Sequence, residues 1–399
     1  MTPGPGIART PLPKGFKVSG INCGVRKYRP DLGIIVSDRD AVAAGVFTTN
    51  ECKAASVIYS QEMLPSGHIR AIVTNSGQAN AATGDQGFTN NRKMAASAAQ
   101  WVGCRSHQVL TASTGVIGVQ LDIDKIVEAM PLLVEKASDS AEPFALAILT
   151  TDLVPKTVST VVSLSGGDVR ITGICKGSGM IHPNMATMLG YILTDAEIPL
   201  PVIKGLLTEA NLVSFNMISV DGDTSTNDCV FLLANGASGV GLSNDSDFAR
   251  FKSALTELSQ ILAKSIARDG EGADKLIEVT VKGSPDLELA RKAARGITLS
   301  PLIKSAVHGE DPNWGRILAK LGAVGVPADC LAQMTLDVQG ARLFEQGAPA
   351  SFDRTDVRIL LKTDTVRIEV DLKSGAFEAT AWGCDLSKRY VDINAEYST

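Results

Sequence analysis

The stretch Lys176-Gly-Ser-Gly-Met-Ile-His-Pro-Asn-Met-Ala-Thr-Met-Leu189 decides how this chain is read. It opens as a glycine-rich loop, turns at Pro183 and runs into the apolar sequence Met188–Leu193. That sequence is short and continuous, which suits a strand buried on both faces. Thr187 would then stand at the first position of a buried strand, held by the sheet and open at the strand's end. Most threonines only cap, turn or pack. Thr187 gains a chemical role if the chain is cut between Ala186 and Thr187. A chain-terminal threonine carries its own base, because an α-amine titrates near 8, well below the ~10.4 of a lysine. Such an amine can take the proton of the neighbouring hydroxyl. The small Ala186 and the nearby glycines leave room for the strained turn that self-cleavage needs.

Other nucleophile arrangements find no support in the stretch. Lys176-Gly-Ser-Gly has the wrong order for a phosphate-binding GxxxxGK[ST] loop, and the chain has no GxSxG elbow. The four histidines, His68, His107, His182 and His308, show no zinc-ligand spacing and suit structural or surface positions. Read alone, Lys176 is a surface lysine and Glu271 a solvated loop carboxylate.

Working outward, Val169–Cys175 and Thr157–Leu164 flank Gly166-Gly167-Asp168 as a β-hairpin that delivers the chain into Lys176. Upstream, Leu32–Asp38, Ala44–Thr48 and Arg70–Thr74 read as short strands, and Asn90–Val102 as a helix. Asn75–Gly84 and Thr111–Gly118 read as small, polar loops. The second is either a capping loop or a nest in which Gly115 allows close approach and Thr114 adds a hydroxyl donor. A helix from Asp124 should end or kink at Pro131. Thr150-Thr151-Asp152 is a further polar cluster at an element end.

Downstream, Leu200–Val213 and a stripe from Phe248 to Ile266 are helical, the latter ending at Asp269-Gly270-Glu271-Gly272. A carboxylate between two glycines is unusual for a mere stop signal. Ile277, Val279 and Val281 alternate as a strand, and Val357–Leu361, Val366–Leu372 and Ala376–Ala381 read as strands of a β-rich end. The final Tyr390–Thr399 is apolar enough to dock. The first sixteen residues read as a flexible Pro/Gly tail without the features of a signal or transit peptide.

The bulk properties set bounds. With 399 residues the chain suits two domains or one large layered unit. A net charge of −5 without a basic tract argues against nucleic acid and anionic membrane as partners. No apolar run reaches the ~18 residues of a membrane span. Seven scattered cysteines without a CxxC pair suit free thiols in a reducing, cytoplasmic compartment.

Taken together the motifs resemble one family, the ornithine acetyltransferases of the cyclic arginine pathway. The matching segments are GVFTTN (45–50), NSGQANAATG (75–84), TASTGVIG (111–118), TTD (150–152), KGSGMIHPNMATML (176–189), SVDGDTSTND (219–228), DGEGADKLIEV (269–279), AVHGEDPNWGRIL (306–318) and YVDINAEYST (390–399). They span nearly the whole chain. Gln78 and Glu310 depart from the family's commoner pattern.

The resemblance implies a fold of α+β or α/β class. Its core would be N-terminal-nucleophile-hydrolase-like layered sheets flanked by helices, with a smaller β-rich C-terminal unit. It implies an α chain of 1–186 and a β chain of 187–399. Within the latter, 187–283 would complete the main layered domain and 284–399 form the smaller one. The two chains would stay associated as a heterotetramer of two α and two β. The implied reaction is ping-pong: N-acetyl-ornithine acetylates Thr187, ornithine leaves, and glutamate takes the acetyl group. By the same resemblance Thr114 and Gly115 form the oxyanion hole, and Thr150, Lys176, Thr187, Glu271, Asn394 and Thr399 line the substrate site. No cofactor or metal is implied, and acetyl-CoA would enter only as a co-substrate if glutamate is also acetylated directly. Two other readings stand beside this one: an amidohydrolase or aminopeptidase of related self-cleaving fold, and an uncleaved binding protein of the same fold.

Overall fold

A computed structural model describes residues 9–182 and 188–396. Two mixed sheets and the helices that flank them make an α+β architecture. The first sheet is formed by β1 (Phe16–Ile21), β2 (Leu32–Phe47), β3 (Ser66–Gln78), β4 (Val109–Val116), β5 (Lys156–Leu164), β6 (Gly167–Lys176), β7 (Leu189–Thr194) and, later in the chain, β9 (Cys229–Ala234). The second takes the short β8 (Ile218–Ser219) with β10 (Leu276–Ser284), β11 (Thr335–Val338), β12 (Ala341–Glu345), β13 (Ala348–Pro349), β14 (Thr365–Asp371) and β15 (Phe377–Cys384).

The first sheet has the order β4-β3-β2-β9-β7-β6-β5, with β1 on β2. Its shape follows from β2. The first half of this 16-residue strand, Leu32–Ser37, lies between β1 and β3, whereas Val42–Phe47 pairs with β9. Register shifts between Val36 and Ala43 bend the strand. The sheet therefore folds over itself, and side chains of β3 and β4 meet those of β7 and β9. Ile72 and Leu110 share one apolar cluster with Tyr191 and Phe231, and the Thr74 and Tyr191 hydroxyls meet at 2.8 Å inside it. β7 is buried at every residue, as its unbroken apolar run predicts.

Helices cover both outer faces. Gly84–Val102 and Ile123–Glu135 pack on the β1–β4 side, burying Met94, Ala98, Ile126 and Met130. Leu200–Leu212 and Asp245–Arg268 cover the other side. In the long helix, Asn244 accepts the Asp247 amide hydrogen as cap, and Phe251, Leu255, Leu258, Leu262 and Ile266 form the buried stripe. That helix touches β5 and β6 on one side and β15 on the other, so it joins the two sheets.

Several expected elements differ. The two strands read at 32–38 and 44–48 are one, because the exposed Asp38-Arg39-Asp40 stays extended rather than turning. The loops expected at 75–84 and 111–118 are largely strand ends, with β3 running to Gln78 and β4 to Val116, and a helix starting at Gly84. Pro131 neither ends nor visibly breaks its helix, which continues to Glu135. The bond it forfeits is to Val127, on the solvent side, where water can satisfy the carbonyl. Val357–Leu361 belongs to a helix, Arg354–Leu360, rather than a strand. Asp353 accepts the amide hydrogens of Thr355 and Asp356 there, and only Val357 of the helix is buried. The N-terminal segment is packed from residue 10 onward: Thr10 donates to Glu142, Leu12 is buried, and Phe16 opens β1. The seven cysteines are free thiols. No described helix is long and apolar enough to cross a membrane.

Candidate active site

Four strand ends converge at one rim of the folded sheet. β6 ends at Lys176, opposite Leu189, the first residue of β7; Leu189 in turn faces Cys229, the first of β9. β4 arrives from the other half of the sheet. Asn227, just before β9, donates from its amide to Ala79 O (2.6 Å) and Ser113 O (2.8 Å), pinning the end of β4 to the start of β9. Polar loops gather where the ladders stop, and they enclose a cleft of about 180 Å³.

The cleft brings together Thr114, Gly115, Thr150, Lys176, Glu271 and Asn394, six of the residues expected at the site. Ala186, Thr187 and Thr399 lie outside the described residues, but Met188, covalently next to Thr187, lines the cleft. Lys176 is buried and donates from Nζ to Thr150 Oγ1 at 2.9 Å and Thr114 Oγ1 at 3.5 Å. Its ammonium lies 3.8 Å from Asp152 Oδ2. Gly115 sits at φ +129° against β3, where a Cβ would stand 2.3 Å from the Gly77 carbonyl carbon, so only glycine permits this approach.

The Asp269-Gly270-Glu271-Gly272 turn forms the far wall. Glu271 donates its amide hydrogen to Ser178 O (3.1 Å) and lays its carboxylate over Gly179, where a Cβ would come within 2.4 Å of it. Asn394 Nδ2 reaches Glu271 Oε2 at 2.9 Å. Asn394 stands on the helix Lys388–Glu396, which has no fully buried residue. The tail therefore docks through polar contacts rather than through the apolar surface expected of it. Gly272, at φ +70°, admits the backbone of Tyr390 against the turn.

Several residues of the site escaped the sequence reading. Asp152, fully buried, accepts from Gly177 N (2.7 Å), Thr150 N (3.1 Å) and Lys156 Nζ (2.8 Å). Burial alone would raise its pKa, but Lys176 and Lys156 outweigh burial and hold it well below the usual carboxylate range. Asp228 lines the cleft in the opposite condition. Its carboxyl is pushed well above the usual range by burial, which outweighs donors from Ser225, the charge of Lys176 and the Met188 amide. Its Oδ2 has no partner among the described residues. Asp221 accepts the amide hydrogens of Met180 (2.6 Å) and Ile181 (2.9 Å), holding the backbone just past Lys176-Gly-Ser-Gly. The motifs TTD, DGEG and SVDGDTSTND signalled the aspartates as a group, whereas Lys156 lies in no motif.

Among the described residues, the His182 ring makes no hydrogen bond to a polar group that lines the cleft. Its Nδ1 is 3.1 Å from Ser219 Oγ and its Nε2 3.1 Å from Arg295 Nη2, while burial and Arg295 lower its pKa to about 4. The one close grouping of metal-type ligands among the described residues, Asp274, His308 and Asp385, is satisfied internally. Asp385 accepts the amide hydrogens of Asp274 and Lys275 and meets His308 Nδ1 at 2.8 Å.

Hydroxyl groups, a buried lysine and a carboxylate at the strand ends of a folded, helix-flanked sheet define an enzyme of the acyl-transferring class. The particular family is the ArgJ family: its model matches residues 17–399, and the chain belongs to it. The arginine biosynthesis bifunctional protein ArgJ of Thermotoga neapolitana is 46% identical over 397 residues, covering 97% of this chain and 100% of that protein. The protein of the same name from Synechococcus is 48% identical over 406 residues, covering 97% and 96%. Among solved structures, the arginine biosynthesis bifunctional protein ArgJ of Bacillus halodurans is 40% identical, with a TM-score of 0.51. It covers 53% of this chain and 100% of its own.

Proposed function

We propose that this acetyltransferase of arginine biosynthesis moves an acetyl group from N-acetyl-ornithine to glutamate through an acetyl ester on Thr187. The observation that carries the reading is the convergence of Thr114, Gly115, Thr150, Lys176, Glu271 and Asn394 beside Met188.

Processing comes first. Thr187 Oγ attacks the Ala186 carbonyl carbon, the C–N bond breaks as the nitrogen takes a proton, and water hydrolyses the resulting ester. The freed α-amine then serves as base. The Bacillus halodurans chain, matched in full, covers 53% of this chain, a share equal to that of residues 187–399, in keeping with such processing.

In the transfer, the α-amine takes the hydroxyl proton as Thr187 Oγ adds to the acetyl carbonyl. Thr114 Oγ1–H and Gly115 N–H donate to the oxyanion. The departing ornithine nitrogen receives the proton from the α-ammonium. Glutamate's α-amine then attacks the ester and its proton returns to Thr187. Lys176 pairs with the substrate carboxylate and Glu271 with the ornithine side-chain ammonium, with Asn394 holding Glu271 in place. Thr150 keeps Lys176 aimed, and Thr399 completes the substrate site. The word bifunctional in the relatives' names supports acetyl-CoA as a second acetyl donor to glutamate. The two chains remain paired, as a tetramer of two α and two β, in the cytoplasm.

The test is incubation with N-acetyl-ornithine, with and without glutamate. Ornithine release that depends on glutamate is expected; release indifferent to glutamate would mean hydrolysis instead. Denaturing electrophoresis should show two bands of about half the full-length mass, and Thr187→Ala should show one. Two bands from Thr187→Ala would overturn self-cleavage at this bond. Release of free CoA thiol from acetyl-CoA, dependent on glutamate, tests the second donor.

A further inference from the structure

Behind the cleft lies a buried chain of charges, of which the transfer chemistry uses only Lys176. Lys156 has a side chain 1% exposed and that of Asp152 is 0% exposed. Lys156 Nζ lies 2.8 Å from Asp152 Oδ1 and 2.6 Å from Asp269 Oδ2. Asp269 also accepts from Leu153 N (3.1 Å), and its carbonyl accepts from Ser178 Oγ (2.7 Å), the residue whose own carbonyl holds the Glu271 amide. At the other end, Asp152 faces Lys176. Two lysines and two aspartates thus form a neutral row with the lysine that points into the cleft at one end. The turn that carries Glu271 is at the other.

The distances within the row are unequal. Lys156 is held at full hydrogen-bond range on both sides, whereas Asp152 stays 3.8 Å from Lys176, beyond that range. A carboxylate so placed attracts the ammonium without occupying its protons. One Lys176 proton goes to Thr150 Oγ1, and the ammonium still lines the cleft. Asp152 is kept in place from the backbone side by Gly177 N and Thr150 N. A buried ion pair is a poor source of stability, since apolar residues of equal volume commonly do as well. The arrangement is better explained by what it does to Lys176.

We infer that Asp152 is a positioning residue for substrate recognition: it holds Lys176 aimed at the substrate carboxylate, and through Lys156 and Asp269 it ties that lysine to the turn bearing Glu271. The inference rests on the reading of Lys176 as the carboxylate-binding group. It also gives the row a second role. Asp152, Lys156 and Lys176 precede the 186–187 bond, while Asp269 and Glu271 follow it. The two ends of an amino-acid substrate are then gauged by groups from both chains, joined through one buried contact.

The experiment measures binding of ornithine and of ornithine methyl ester by calorimetry, which needs no turnover. The ester lacks the carboxylate. In the wild type ornithine should bind at least about tenfold tighter than its ester. Asp152→Asn should weaken ornithine by about tenfold or more and the ester by less than about threefold, erasing the preference. A merely structural loss would weaken both alike, and that result overturns the inference. Where Asp152→Asn fails to fold, Asp152→Asn with Lys156→Met removes the uncompensated charge, and the same loss of preference is expected of it; preference retained in that folded double variant also overturns the inference. Lys176→Met separates the two claims. If it leaves the acid–ester preference intact, the carboxylate reading of Lys176 itself fails. If it erases the preference while the Asp152 variants keep it, only the positioning role fails.

Discussion

Two aspartates of the cleft region show how one residue type responds in opposite directions to its surroundings. Asp152 is ionised because two lysines outweigh its burial. Asp228, equally buried, has Lys176 as its lysine neighbour, and burial pushes its carboxyl well above the usual range. An amide is nearly isosteric with a neutral acid, so Asp228→Asn should fold as the wild type does. The pH dependence follows from the direction of the shift. The folded state keeps a proton on Asp228 above the ordinary aspartate value of about 3.9, where the unfolded state has lost it, so this carboxyl subtracts stability as pH rises. The thermal midpoint of the wild type should therefore fall, relative to that of Asp228→Asn, as pH rises above about 3.9. Equal slopes would show that Asp228 is ionised. His182 shifts the opposite way for a base: burial and Arg295 keep it neutral, and its imidazole resonances should titrate near 4 rather than near 6.5. At the reaction centre, Thr114→Val removes one hydroxyl donor at nearly constant volume. It should lower kcat by about 10²-fold with KM little changed; an unchanged kcat would remove Thr114 from the oxyanion site.

At the scale of elements, glycines decide how closely layers approach. Gly20 of β1 pairs with Gly33 of β2, and both face the helix Glu142–Ala147. A Cβ on Gly20 would lie 1.9 Å from the Pro143 carbonyl oxygen, and one on Gly33 2.8 Å from the Phe144 ring. The helix therefore sits directly on the sheet, and Ser76 Oγ donates to Ala147 O at 2.7 Å from beneath it. The chain leaves this helix toward Thr150 and Asp152. Gly20→Ala must push backbone against backbone, and it should cost about 1–3 kcal/mol in urea unfolding. Activity should fall as well, because the displaced helix carries Thr150 away from Lys176. A variant with wild-type stability would show that the helix can slide without loss.

For the molecule as a whole, the position of β7 matters most. It begins after the proposed cut, yet it pairs with β6, which precedes the cut, along six residues. Its other neighbour, β9, pairs in turn with β2 along six more. Strands from residues 1–186 and 187–399 thus alternate inside one sheet, and their side chains share one apolar cluster. Cleavage would remove one covalent bond and no ladder. The two pieces should co-elute in size-exclusion chromatography under native conditions and separate only in denaturant; separation without denaturant would contradict this sheet order. Had the cut fallen between two layers, dissociation would need only the loss of a face. Here it needs the loss of two ladders from the middle of a sheet.

The sequence by itself determined the local elements and the chemistry they carry. The continuous apolar run of β7, the hairpin of β5 and β6, and the stripe of the helix ending at Arg268 are legible because their signals lie within a few residues of each other. The groups proposed to react were picked out as motifs for the same reason. It misread Val357–Leu361, where one capping carboxylate at Asp353 outweighed a strand-like composition, and it left open whether Pro131 ends its helix, which runs on to Glu135. Only the tertiary structure decided that the sheet folds over on β2. That bend brings Thr114, Lys176 and Asn227 to one rim, although none is a neighbour in sequence. It also exposed the row from Lys176 through Asp152 and Lys156 to Asp269. Lys156 lies in no motif: Asp152 stands four residues before it, but its second carboxylate, Asp269, comes from 113 residues further along the chain. Convergence of that kind is a property of strand pairing across more than a hundred residues, and no window of sequence contains it.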